Sequence, residues 1–214
     1  MSVLSDLMKR RSTEIFVNFM FEEINRFLAH PDQPANFDTL FGSPNWRAAL
    51  TLSGASRRNR LHDLYQAQLR TIGTARFVRS FEMRNDRGLI DYFLFFATNN
   101  PRGLAKMKEA MWRVDPGGSF RFSDATDTSQ PVLFQPTPDR ALLRRLIVRQ
   151  FAGKQVGVGD IEKFVIEETP FLSTHYKKVL AALEADGMVS AFDAPAKRRA
   201  GTYPNARLIL SFSS

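Results

Sequence analysis

The chain alternates between two hydrophobic rhythms. From Ser2 to Arg11 the apolar side chains of Val3, Leu4, Leu7 and Met8 fall three and four apart, the spacing of one helix face. Glu14 to Met20, EIFVNFM, is a near-continuous bulky run and predicts a short strand buried on both faces. FEEINRFLAH returns to helical spacing with Phe21, Ile24, Phe27 and Leu28. Pro31, Pro34, Gly42 and Pro44 then punctuate a predicted loop, after which Leu61, Leu64, Tyr65, Leu69 and Ile72 mark a long helix ending at Gly73. ARFVRSFEM and LIDYFLFFATNN, joined by the polar link Arg84 to Gly88, predict an antiparallel hairpin. A further helix opens at Pro101, carries Leu104, Met107, Met111 and Trp112 on one face, and stops at Asp115, Pro116 and Gly117. A Met and Trp stripe at that spacing reads as core.

Between Ser123 and Pro138 the pattern changes to SDATDTSQPVLFQPTP, small polar residues followed by prolines, the composition of a domain boundary. Beyond it, Thr137 is placed to cap a helix with Pro138 at its first position and Leu142, Leu143, Leu146, Ile147 and Phe151 inward, ending at Gly153. A second helix runs from about Asp160, with Ile161, Phe164 and Val165 inward, and breaks at Thr169 and Pro170. The third, STHYKKVLAALEADG, is capped by Ser173 or Thr174, packs through Tyr176, Val179, Leu180 and Leu183, and terminates at Gly187. MVSAF and ARLILSF flank the basic, turn-rich DAPAKRRAGTYPN. Three helices followed by a two-stranded wing is the winged helix-turn-helix pattern. The expected organisation is an α/β domain over residues 1–124, a linker over 125–136 and a winged helix over 137–214.

Charge narrows the partners. A net charge of +8 and a pI near 10.1 favour polyanions, and from Gln135 onward 12 Lys and Arg face 8 Asp and Glu. The candidate contacts are Ser173, Thr174, His175, Lys177 and Lys178 on the third helix, where hydroxyls, cations and a helix N-terminus meet a phosphate. Lys197, Arg198 and Arg199 at the wing tip are suited to phosphate or minor-groove contact. The expected partner is nucleic acid, double-stranded DNA first. The competing reading is a purely architectural or protein-binding winged helix whose lysines are merely solvated.

Other chemistries are thinly represented. With no cysteine, the chain has no disulfide framework, thiolate metal site or cysteine nucleophile, which fits a reducing cytoplasm. No apolar run approaches the ~20 residues that span a bilayer, so no membrane partner is expected. His30, His62 and His175 are scattered without metal-ligand spacing, so no metal and no cofactor are assigned. The GVG of Gly157 to Gly159 follows a helix rather than a buried strand and reads as a turn, not a dinucleotide fingerprint. Glu82 and Asp91 in the hairpin read as outward strand residues, and Asn18, within an apolar run, as a buried amide in need of partners.

At INRFLAHPDQPANFDTLFG, YFLFFATNNPRGLAKMKEAMWRVDP and GSFRFSD the chain resembles the three-Cys-motif partner protein (TcmP) family, most densely from Tyr92 to Asp124. The resemblance implies a Rossmann-like, methyltransferase-like front with a winged-helix tail, and a radical-SAM-like three-Cys-motif protein as a partner. In that family the segment matching Met1 lies well inside the protein, after the strands that would hold a glycine-rich cofactor loop. Residues 1–124 are therefore expected to match the second half of such a sheet, without an S-adenosylmethionine site and inactive as this chain alone. Three functions follow as expectations: a non-catalytic nucleic-acid-binding module, part of a nucleic-acid methyltransferase whose cofactor half lies elsewhere, or a scaffold for the radical-SAM-like partner.

Overall fold

A computed structural model describes residues 1–10, 12–85, 87–123, 137–192, 198–204 and 206–213, with the backbone alone at 122 and 123. Two units emerge: Met1–Met107 with Phe120–Val132, and Lys108–Ser119 with Leu133–Ser214. The segment Lys108–Ser119, which the hydrophobic pattern assigns to the front domain, groups with the second unit.

In the first unit the helical rhythms become α1 (Ser2–Met8), α2 (Phe21–Phe27), α3 (Pro34–Phe41), a 3₁₀ turn (Pro44–Ala49), α4 (Gly54–Thr71) and the first part of α5 (Pro101–Val114). The proline-rich stretch expected to be a loop thus holds two short helices. Pro34 and Pro44 each sit at a helix start, where a missing N–H costs nothing, and Phe37, Phe41 and Trp46 bury between them. The strands β1 (Glu14–Phe19), β2 (Phe77–Arg84), β3 (Ile90–Thr98) and β4 (Arg121–Ser123) form one sheet in the order β1-β3-β2-β4.

A Rossmann-like parallel sheet is not what these strands pair into. β3 is antiparallel to both β1 and β2, and the one parallel pairing, β2 with β4, spans three residues. The short β2–β3 link enforces this: Asn85 N–H donates to Leu89 O at 2.9 Å, its side-chain Oδ1 accepts from Arg87 and Leu89 N–H, and Gly88 takes φ +72.

The strand buried on both faces is β3, not β1. With a neighbour on each side, β3 buries Phe93, Phe95 and Ala97 on one face and Phe96 and Thr98 on the other. β1 is an edge strand that alternates, burying Ile15 and Phe19 while Phe16 stays 59% exposed. Asn18 shares the outward face and is exposed, so the expected buried amide does not exist. The core lies where Phe19 and Phe95 meet Tyr65 of α4, at ring distances of 4.7 and 5.2 Å. Burial pushes the Tyr65 hydroxyl up to about 12.

The second unit orders its elements as α6 (Arg140–Phe151), β5 (Gln155–Gly157), α7 (Val158–Glu168), α8 (Ser173–Ala185), β6 (Val189–Phe192) and β7 (Ile209–Phe212). Asp139, not Thr137, caps α6, accepting from Leu142 N–H at 2.8 Å. The wing strands gain a third member: β5 pairs with β7, giving the order β5-β7-β6. The GVG is therefore the end of a strand and the start of α7 rather than a turn. Its glycines permit close approach, since Gly159 N–H donates to Ala206 O at 2.9 Å and a Cβ there would lie 3.0 Å from the Ala206 methyl. Leu143, Ile147, Ile161, Val165, Leu180, Leu183 and Leu210 are fully buried at the centre of this unit.

Candidate nucleic-acid interface

α8 divides cleanly by face. Tyr176, Val179, Leu180 and Leu183 recur at three and four and are buried, whereas Thr174, Lys177 and Lys178 are exposed and Ser173 is half-buried. Neither lysine has a carboxylate partner among the described residues. The helix stops at Gly187, whose φ of +72 lets its N–H reach Glu184 O while Met188 N–H reaches Leu183 O.

Its start is built differently from the sequence expectation. Leu172 occupies the cap position with extended backbone, and no hydroxyl of Ser173 or Thr174 caps the helix. Instead the His175 ring turns back, Nδ1 accepting from Leu172 N–H at 3.3 Å. The ring packs edge-on to Trp112 at 4.7 Å and beside Phe171 at 6.1 Å. His175 therefore does not join the outward face. Burial chiefly, then the charges of Arg140, Lys108 and Lys178, holds its pKa below the ordinary histidine value.

The turn from α7 into α8 is fastened by a segment outside the three-helix pattern. Lys108, 1% exposed, donates from Nζ to the carbonyls of Val165, Ile166 and Thr169 at 3.1, 2.9 and 2.9 Å. Those are the orphan acceptors at the C-terminus of α7, where the helix dipole favours a cation. Trp112 Nε1–H donates to Pro170 O at 2.8 Å, and its ring stacks on Phe171. Of the expected stripe Leu104, Met111 and Trp112 are buried and Met107 is half-buried, and the buried Lys108 beside them is the residue that sequence reasoning missed. Its only signal is a lysine one position after Met107 and four before Trp112, on the apolar side of the helix.

Arg140 is a second omission. It is exposed at the first turn of α6, and its charge is among those that hold the His175 pKa down. A shallow groove lined by Glu109, Trp112, Arg113, Pro138, Leu172 and His175 runs past the same helix end.

At the wing, Lys197 lies outside the described residues. Arg198 is not a free cation: its side chain is 7% exposed and its guanidinium binds the Glu184 carboxylate through Nη1 and Nη2 at 2.8 and 2.7 Å. Arg199 is exposed and has no carboxylate partner among the described residues.

Elsewhere, His62 and Glu82 resolve into structural contacts. His62 Nε2 meets Ser80 Oγ at 2.9 Å and its ring packs on Phe93 and Phe95. Glu82 is half-buried rather than outward, and pairs with Arg84 at 2.6 Å and Arg121 at 3.3 Å. No cluster of three His, Asp or Glu forms among the described residues, and no helix among them is long and apolar enough to cross a membrane.

Helix, strand, two helices and a two-stranded wing around one core define the second unit as a winged helix-turn-helix domain. Residues 121–196 match the family described as the GMT-like wHTH domain. No curated protein and no solved structure matches the chain.

Proposed function

We propose that the winged helix is a nucleic-acid-binding module that engages duplex DNA through the N-terminal half of α8. The observation that carries this reading is the pair Lys177 and Lys178, exposed and free of carboxylates on the one helix whose opposite face builds the core. Thr174 and Ser173 add hydroxyls beside them, Arg140 is a further exposed cation on α6, and Arg199 is an exposed cation of the wing. Such a surface takes phosphates first and base edges second. Titrating a labelled duplex over a series of salt concentrations tests it. Binding that weakens steeply with salt supports the reading, and no binding at low salt refutes it.

Within this proposal the chain is a TcmP-like protein, since GMT-like wHTH domains are associated with proteins of that type. In this reading it acts in the cytoplasm. A second reading, part of a methyltransferase-like protein or a partner of a radical-SAM-like three-Cys-motif protein, draws support from strand direction. β1 and β2 are each antiparallel to β3 and hence parallel to one another, joined by a helical crossover, with β4 parallel to β2. Three strands sharing a direction around one inserted antiparallel strand is compatible with the end of such a sheet. Isothermal titration of S-adenosylmethionine into the chain tests the catalytic form of this reading, and micromolar stoichiometric binding would favour it.

A further inference from the structure

We infer that Glu184 is the positioning residue that fixes the wing on α8 for nucleic-acid contact, an assignment that rests on the reading above. Its carboxylate, with a side chain 13% exposed, accepts from Arg198 Nη1 at 2.8 Å and from Nη2 at 2.7 Å to each oxygen. It also accepts from Gly201 N–H at 2.8 Å and from the Tyr203 hydroxyl at 3.0 Å. A carboxylate has about four lone-pair positions, so its capacity is filled by the returning limb of the wing alone.

That limb is folded onto the carboxylate by its own contacts. Arg198 Nε–H closes on Thr202 O at 3.0 Å, and the guanidinium lies 5.4 Å from the centre of the Tyr203 ring. Gly201 takes φ +75, which turns its N–H inward, and a Cβ there would meet the Ala181 methyl at 3.4 Å. Tyr203 is buried, and burial followed by the hydrogen bond to Glu184 raises its hydroxyl pKa.

A buried ion pair is a poor source of net stability, because desolvation offsets the Coulombic gain and an apolar substitute of similar volume often does as well. What this network supplies is geometry. Glu184 lies about two turns along α8 from Lys177 and Lys178, so the limb it holds is indexed to the helix that carries the proposed phosphate contacts. Arg199, the next residue after the anchored Arg198, is thereby presented to solvent at a fixed place instead of on a freely moving loop. A preordered limb saves the ordering cost that binding would otherwise carry.

The test uses the full chain, a short labelled DNA duplex and the variants Glu184→Gln, Arg199→Ala and the double substitution, each at several salt concentrations. Glu184→Gln makes the protein more basic, so a simple charge effect tightens binding. The positioning role instead weakens it about tenfold and flattens the logarithmic salt slope by about 0.9, as Arg199→Ala does. The double variant is then no flatter than Arg199→Ala alone. Tyr203→Phe, which removes one hydrogen bond and leaves the ion pair, gives a smaller loss in the same direction and serves where Glu184→Gln does not fold. A folded Glu184→Gln protein, or a Tyr203→Phe protein, that binds as tightly as wild type with the wild-type slope overturns the assignment while the nucleic-acid reading stands. A wild-type chain that binds no duplex overturns both.

Discussion

The ammonium of Lys108 sits 2.9 Å from the carbonyl oxygen of Thr169, and both groups are buried. With Val165 O and Ile166 O accepting from the same ammonium, the cation closes the end of α7 at the point where the chain turns into α8. Lys108→Met keeps the apolar stem and removes its donors from the carbonyls of Ile166 and Thr169, while Val165 O keeps the hydrogen bond from the Thr169 hydroxyl. The expected cost is roughly 3 kcal/mol, read as a lower urea midpoint. Trp112 fluorescence, recorded in a Trp46→Phe background, reports the second unit specifically.

His175 makes the second unit sensitive to acid in a calculable direction. Its folded-state pKa is depressed below the ordinary histidine value of 6.5, so the unfolded chain binds the proton more readily. The stabilisation from the neutral ring is complete above pH about 6.5 and is lost as pH falls through the folded-state value. Protonation also removes the acceptor for Leu172 N–H. Thermal melts between pH 7.5 and pH 5 are expected to show a fall in midpoint that His175→Gln lacks. Equal slopes for the two proteins would show that His175 is not the group responsible.

Glycine at position 118 is fixed by two constraints. Its φ is +74, and a Cβ would overlap the distal ring carbon of buried Trp112. Gly118→Ala must strain the backbone and displace the indole that holds Pro170. A loss of about 2 kcal/mol is expected, with a shift in Trp112 emission. Gly103 offers the contrast: the atom that its Cβ would meet first is the end of the flexible, exposed Glu14 side chain. Gly103→Ala should change stability by less than about 1 kcal/mol.

Which parts of this fold were legible follows from what local sequence can encode. The faces of α6, α7 and α8 were readable because Leu143, Ile147, Ile161, Val165, Val179, Leu180 and Leu183 repeat with helical period and little competes with that signal. The hairpin was readable from its short polar link. Strand position in the sheet was not, because EIFVNFM and IDYFLFFAT are both bulky runs, and only the pairing partners decide that β1 is an edge and β3 is central. At the candidate site, exposure of Lys177 and Lys178 followed from the helix period. The fate of Arg198 and His175 did not, since each is drawn inward by a residue distant in sequence, Glu184 in one case and Trp112 in the other.

Cap identity shows the same limit at smaller scale. Thr137 and Asp139 both suit an N-cap, and the chain uses Asp139, whose Oδ1 accepts from Leu142 N–H. Asp139→Ala should cost about 1 kcal/mol and Thr137→Ala close to nothing, a difference measurable by equilibrium unfolding of the two variants.

Phe16 carries the last prediction. It lies on the outward face of β1, 59% exposed, with its ring 5.1 Å from that of Phe96. β1 pairs with β3 on one side, and no described strand pairs along its other edge. An aromatic on an unprotected edge is a site of intermolecular strand pairing, whereas lysine at such a position opposes it through charge and hydration. Phe16→Lys forfeits one partly exposed ring contact, so its cost in stability should not exceed about 1 kcal/mol. Its effect on association should be larger: light scattering over a protein concentration series is expected to show growth in apparent mass for the wild type and less for the variant. If both proteins stay monomeric over the whole series, the open edge of β1 is not a site of self-association; if both associate equally, the contact lies elsewhere on the chain.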